Sequence, residues 1–173
     1  MTAEASVHAS AVLVGERAVL IRGPSGAGKS RLAFNLILAG RAGQLPPAVL
    51  VGDDRVHLDT VAEQLWVRPA PALAGLIEIR GLGIRRCDFV SEAIVGLIAD
   101  LAAGDAERLP PPEARTIRLN GVELPRIPIA AGFDPFPLIA AALTTTAGSG
   151  PVQPSHDCLK GFGNHISPNI ATD

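Results

Sequence analysis

The chain has 173 residues, 47% of them hydrophobic and 18% charged, enough apolar surface for one core and too short for a multidomain enzyme. Fifteen Lys plus Arg against seventeen Asp plus Glu leave a formal charge of −2, and the basic residues are scattered apart from Arg85-Arg86, so nucleic-acid binding gets no support. No apolar run approaches the roughly 18 residues of a membrane span and no charged-then-apolar leader opens the chain, so the expectation is a cytoplasmic protein without membrane insertion.

Aromatic residues make up 3%, with no tyrosine, and the core must come from Leu, Ile, Val and Ala. That suits strands covered by helices, an α/β fold. Residues 9–14 and 18–22 are apolar runs separated by Gly15-Glu16-Arg17 and read as a β-hairpin. The second run leads into Gly23-Pro24-Ser25-Gly26-Ala27-Gly28-Lys29-Ser30, a complete G-x-x-x-x-G-K-[ST] loop. Its glycines let backbone N–H groups curl around a polyphosphate, Lys29 reaches the outer oxygens, and the Ser30 hydroxyl suits Mg²⁺. The chain is therefore expected to handle a nucleoside triphosphate. Leu32, Ala33, Leu36 and Ile37 give a helix leaving the loop, with Gly40 as its stop.

Pro46-Pro47 precedes residues 48–51, a buried strand that ends on Gly52-Asp53-Asp54. Carboxylates at the end of a strand beside a phosphate-loop strand are where such folds place magnesium and water-handling groups. Adjacent carboxylates on a strand end point to opposite sides, so only one of the two is expected to face the γ-phosphate. Residues 76–79 read as a further strand closed by Arg80-Gly81-Leu82-Gly83, whose glycines suggest tight backbone approach. Val90, Ile94, Leu97, Ile98 and Leu101 trace one apolar face of a helix. Asn120-Gly121 between residues 116–119 and 122–124 is a two-residue hairpin signal, and Asp134-Pro135 caps and starts a helix over 136–143. The Gly/Pro/Ser-rich residues 144–173 show no period and read as a mobile tail behind a domain of residues 1–143. His156, Cys158 and His165 fall in that tail and read as bystanders, and Cys87 and Cys158 are too few and too far apart for a zinc framework.

With the phosphate loop, the Asp-Asp pair and Glu78-Ile79-Arg80-Gly81-Leu82-Gly83-Ile84 in view, the chain resembles the catalytic domain of HPr kinase/phosphorylase. The family carries a His ahead of its loop, and His8 stands in that place. Its Asp-Asp-Arg-Val segment matches Asp53-Asp54-Arg55-Val56, and its acidic-Ile-Arg-Gly-aliphatic-Gly-Ile signature matches residues 78–84. The resemblance covers residues 7–143 and implies a P-loop kinase core with a mainly β sheet flanked by helices. Members usually have an additional N-terminal domain, so the chain looks like a short, catalytic-domain-only member. The family's Pro-Gly-Arg-Asn run reads Ala131-Gly132-Phe133-Asp134 here, with Phe133 at the place of a phosphate-handling arginine.

The resemblance implies phosphorylation of a serine of the phosphocarrier HPr with ATP and Mg²⁺, in regulation of a phosphotransferase system, and leaves open the reverse phosphorolysis of phospho-serine HPr. Asp54 would accept the proton of the serine hydroxyl, with Asp53 as its partner and His8 hydrogen-bonded to the carboxylates. Lys29 would neutralise developing charge, and Ser30 and Glu78 would be the magnesium ligands, both oxygen donors of the kind Mg²⁺ takes. Arg80, Arg85 and Arg86 are read either as contacts to phosphates or an acidic partner surface, or as solvated arginines around a turn. Trp66 and Phe34 are read as packing, and no role is assigned to His57. The family assembles hexamers, so a homo-oligomer is open. Two other readings compete: a P-loop kinase of a small hydroxylated metabolite, and a nucleotide-dependent binding module with little turnover that signals through a partner such as a sensor kinase. A GTPase is disfavoured because no Asn-Lys-x-Asp segment occurs, and a motor ATPase because no Asp-Glu pair ends a strand.

Overall fold

The computed structural model describes residues 6–148. A short β1 (Val7–His8) precedes the hairpin of β2 (Ser10–Val14) and β3 (Arg17–Arg22), whose turn Gly15-Glu16 begins with Gly15 at φ 63°, the left-handed region where glycine costs least. From the end of β3 the phosphate loop leads into α1 (Lys29–Arg41), which turns Leu32, Ala33, Leu36 and Ile37 inward. Gly40, expected as the stop, is instead inside the last turn. A Cβ there would lie 2.7 Å from the Ala48 backbone nitrogen, so its smallness allows helix and strand to touch.

β4 (Ala48–Gly52) pairs antiparallel with β2. β5 (Arg55–Val61) and β6 (Gln64–Pro69) form a hairpin that the sequence reading did not single out. Its turn residues, Ala62 and Glu63, both have positive φ, a conformation usually marked by Gly or Asn. β7 (Leu76–Ile79) and β8 (Gly83–Arg86) form a separate two-stranded sheet. The turn glycines Gly81 and Gly83 have φ 85° and 89°, the left-handed region, and no other part of the described chain lies within 4 Å of a built Cβ.

The segment expected as a helix over residues 90–101 is a strand, β9 (Ala93–Leu101). Helical spacing of Val90, Ile94, Leu97, Ile98 and Leu101 arises because a central strand is apolar on both faces, and any spacing can be picked from a continuous apolar run. β9 pairs parallel with β3 along one edge. On its other edge it pairs with β6 at its start and, in parallel, with β11 (Val122–Ile129) at its end. β10 (Thr116–Leu119) forms the expected hairpin with β11 through Asn120-Gly121, and α2 (Pro135–Thr144) starts as expected, its Asp134 cap accepting from the Phe136 amide.

The main sheet thus runs β1-β5-β6-β9-β3-β2-β4. Val19, Ile21 and Ala99 face α1 and Ile139 of α2 in one core, while Ala18, Leu20 and Ile98 on the opposite face meet Val56, Leu65 and Val67 of the β5–β6 hairpin. This is the α/β architecture expected, a mixed sheet flanked by helices. No helix among the described residues is long and apolar enough to cross a membrane. The cluster His156, Cys158 and His165 lies outside the described residues.

At the carboxyl end of the parallel strands, Arg22 makes a two-point pair with Asp100, Nε to Oδ1 at 2.7 Å and Nη2 to Oδ2 at 2.6 Å. Arg126 of β11 donates to the same carboxylate and, at 2.6 and 3.0 Å, to Asp105. Burial pushes the Asp100 carboxyl upward, but the hydrogen bonds from Arg22 and then Arg126 outweigh it and hold the group below its usual range. A depressed carboxyl stabilises the fold above its ordinary pKa of 3.8, and that contribution is lost as pH falls through the lower folded value. Asp100→Ala should lower the unfolding free energy by about 3 kcal/mol at pH 7, because it strands the Arg22 guanidinium and leaves Arg126 with Asp105 alone as its carboxylate partner. Urea titrations of both proteins should show the difference shrinking as pH drops below the ordinary carboxylate value; a pH-independent difference would remove the ion pair from the explanation.

Candidate active site

The phosphate loop is built where β3 stops beside β9. Gly23 follows Arg22 with φ 146°, and a Cβ on it would meet the Leu101 carbonyl oxygen at 2.9 Å, so this position admits only glycine. Gly26 and Gly28 also take positive φ, and Gly28 caps α1 at 97°. No side chain caps that helix, so its first N–H groups and the positive end of its dipole face the loop, a ready anion site. Lys29 is 6% exposed, and its ammonium donates to the carbonyls of Gly23 and Pro24 at 3.0 and 3.1 Å. Burial lowers its proton affinity, partly offset by the charges of Asp53 and Asp54.

The acidic pair divides by location. β4 ends at Gly52, so Asp53 and Asp54 lie in the turn to β5, which the Arg55 amide closes on the Asp53 carbonyl at 2.8 Å. The strand pleating from which the two side chains were expected to diverge is therefore absent: both residues are in the turn, Asp54 at φ 65°, and both line the same cleft. Asp53 is 3% exposed. Its Oδ1 accepts from the hydroxyls of Ser10 at 2.5 Å and Ser30 at 2.9 Å, and its Oδ2 from the Glu78 amide at 3.1 Å. Asp54 is exposed, with Oδ1 3.4 Å from Nε2 of His8. That contact follows from strand pairing, since His8 on β1 lies opposite Arg55 at the start of β5.

A cleft of about 540 Å³ collects these groups. Ser25, Gly26, Ala27, Gly28, Lys29 and Ser30 line one wall, and His8, Asp53, Asp54 and Glu78 line another. Gly23 and Pro24 stand behind the wall and hold Lys29 through their carbonyls. Three residues given no role line it too: Arg31 and Asn35, one helical turn apart on α1, and Ile79. So does Arg80, of the three arginines read as phosphate or partner contacts the one in this cleft. Phe34, read as packing, both lines the cleft and packs on the α1-side core. Ser10 was missed altogether, its one signal being a lone hydroxyl in an apolar strand. Phe133 is 69% exposed in the loop before α2.

Among the described residues no three His, Cys, Asp or Glu side chains converge as a closed metal site. The oxygen donors present, the Ser30 hydroxyl and the carboxylates of Asp53 and Glu78, fit Mg²⁺, which takes one or two carboxylates and completes its shell with phosphate and water.

Residues 1–91 match the family model described as the HPr Serine kinase C-terminal domain. An HPr kinase/phosphorylase of Streptococcus thermophilus is 32% identical over 96% of this chain and 55% of its own length, and one of Streptococcus salivarius is 35% identical over 79% and 46%. The chain thus spans about half the length of the curated relatives it matches. A solved structure described as the HPr(Ser) kinase/phosphatase of Coxiella burnetii superposes with a TM-score of 0.64 at 28% identity, covering 80% of this chain and 93% of that one.

Ser10→Ala should lower the unfolding free energy by about 1 to 3 kcal/mol, because Asp53 loses a buried donor, and Ser10→Thr should restore most of it. Chemical denaturation of the three proteins checks this; equal stability of Ala and Thr variants would mean the hydroxyl contributes nothing.

Proposed function

The chain belongs to the HPr serine kinase C-terminal domain family, and we propose that it transfers the γ-phosphoryl group of ATP to a serine hydroxyl of HPr, in regulation of a phosphotransferase system. The observation that carries the reading is the meeting, in one cleft, of a complete phosphate loop with a buried and an exposed carboxylate. Phosphoryl transfer asks for charge stabilisation, an oriented nucleophile and an acceptor for its proton. The loop amides and Lys29 supply the first. Asp54, exposed and beside His8, takes the serine proton as the new O–P bond forms and ADP leaves, and His8 holds the carboxylate in place. Ser30, Asp53 and Glu78 would hold Mg²⁺, which supplies charge neutralisation at the phosphates when bound.

The exposure of Asp54 favours a macromolecular hydroxyl over a small enclosed metabolite. Phe133, where the family's phosphate-handling arginine is expected, favours the kinase direction over phosphorolysis. Operation in the cytoplasm follows from the substrate proposed.

Labelled γ-phosphate should pass from Mg-ATP to HPr and not to an HPr whose acceptor serine is alanine; binding of Mg-ATP without transfer would shift the reading to the binding module. Asp54→Asn should cut kcat at least about 100-fold while Mg-ATP affinity stays within about threefold by calorimetry. Loss of binding equal to loss of turnover would make Asp54 a binding residue. Lys29→Ala should cost at least about 2 kcal/mol in kcat/KM, near thirtyfold, and an unchanged value would sink the role given to the loop.

A further inference from the structure

The β7–β8 hairpin stands apart from the main sheet and is anchored at one side only. Ile77, 1% exposed, and Ile79 turn into the core shared with α1. Side chains alternate along a strand, so Glu78 between them faces outward, into the cleft. Antiparallel register then identifies its neighbours: Ile84 lies directly opposite Glu78, and Arg86 lies opposite Leu76, on the same outward face. Arg85, opposite Ile77, lies on the other face. All four β8 residues are exposed, Ile84 at 63%, and so is Leu82 at the tip, also at 63%.

Residues 76–86 hold three arginines against the single carboxylate of Glu78, in a chain of net charge −2. Among the described residues none of Arg80, Arg85 and Arg86 forms an ion pair. Arg80 lines the phosphate-loop cleft and Arg85 is on the other face, so Ile84 and Leu82 are left in water beside one unpaired cation, Arg86, on a face continuous with the mouth of the cleft, a surface for a partner that is apolar at its centre and acidic at its edge.

We propose that the outward face of this hairpin, Ile84 and Arg86 with Leu82 at the tip, docks the acceptor protein, covering an apolar side chain and pairing a carboxylate that flank the acceptor serine. The proposal rests on the protein-serine kinase reading above. Ile84 and Arg86 are the opposite and diagonal neighbours of Glu78, about 5 and about 8 Å away, and Glu78 lines the same cleft as Asp54, so a protein seated there lies at the edge of the cleft that holds Asp54.

The test is Ile84→Ser, Arg86→Ser and the double variant, with HPr as acceptor. The double variant should raise KM for HPr about tenfold or more while kcat and Mg-ATP affinity stay within about twofold. KM for HPr should rise with salt between about 50 and about 300 mM in the parent, and less steeply in Arg86→Ser. An unchanged KM for HPr overturns the docking surface and leaves the kinase reading standing. An equal fall in Mg-ATP affinity overturns it by placing these residues in the nucleotide site, and a change of oligomeric state by light scattering does so by assigning the face to a second copy of the chain. Absence of transfer in the parent would instead strike the kinase reading. Calorimetric titration of HPr then decides the docking face directly: binding lost in the double variant supports it, and binding unaffected, or no binding by the parent, overturns it.

Discussion

A carboxylate at 3% exposure has lost nearly all its water, so the protein must supply its hydrogen bonds, and for Asp53 it does so three times. The donors come from separate parts of the chain. Ser10 opens β2, Ser30 lies in the first turn of α1, and the Glu78 amide belongs to β7. Satisfying one buried group therefore locks a sheet strand, the helix behind the phosphate loop and the root of the hairpin into a single relative position. The same constraint leaves Asp54 as the carboxylate open to the cleft, since the left-handed turn at that residue carries its side chain away from the cluster.

A second buried carboxylate explains why the first is placed where it is. β9 runs parallel beside β3, and an acid at its carboxyl end would stand next to the phosphate loop. Asp100 occupies that end but is held by Arg22 and Arg126, on the sheet face away from α1. Its oxygens are thereby committed to tying β3, β9 and β11 together, and Gly23 packs against the Leu101 carbonyl one residue further on. The acid that meets Ser30 arrives instead from β4, across the antiparallel strand β2. One carboxylate braces the sheet under the loop and the other composes the cleft.

What was legible in the sequence was local. The phosphate loop is read from eight consecutive residues because its function depends on backbone torsions that only glycine takes easily and on side chains within one turn of helix. The Asn120-Gly121 and Asp134-Pro135 signals worked for the same reason. Where the physics was not local, the reading failed. The apolar spacing of residues 90–101 could not distinguish a helix face from a strand buried on both sides, because the deciding fact is the presence of β3, β6 and β11 beside it. The β5–β6 hairpin turns on Ala62-Glu63, residues that pay no attention to turn preference, so its cause lies in the pairing of the flanking strands.

From the sequence by itself came the α/β class, the phosphate-binding loop, the acidic pair and the signature run at residues 78–84, since each is written in contiguous residues whose chemistry does not depend on distant partners. Only the tertiary structure decided which acid is buried and which is open, that Ser10 serves Asp53, that Asp54 is the carboxylate His8 meets, and that Ile84 and Arg86 share a face with Glu78. Those facts rest on strand register and burial, which couple residues from 6 positions apart in the β7–β8 hairpin to 46 between His8 and Asp54, and no pattern of residue types carries that information.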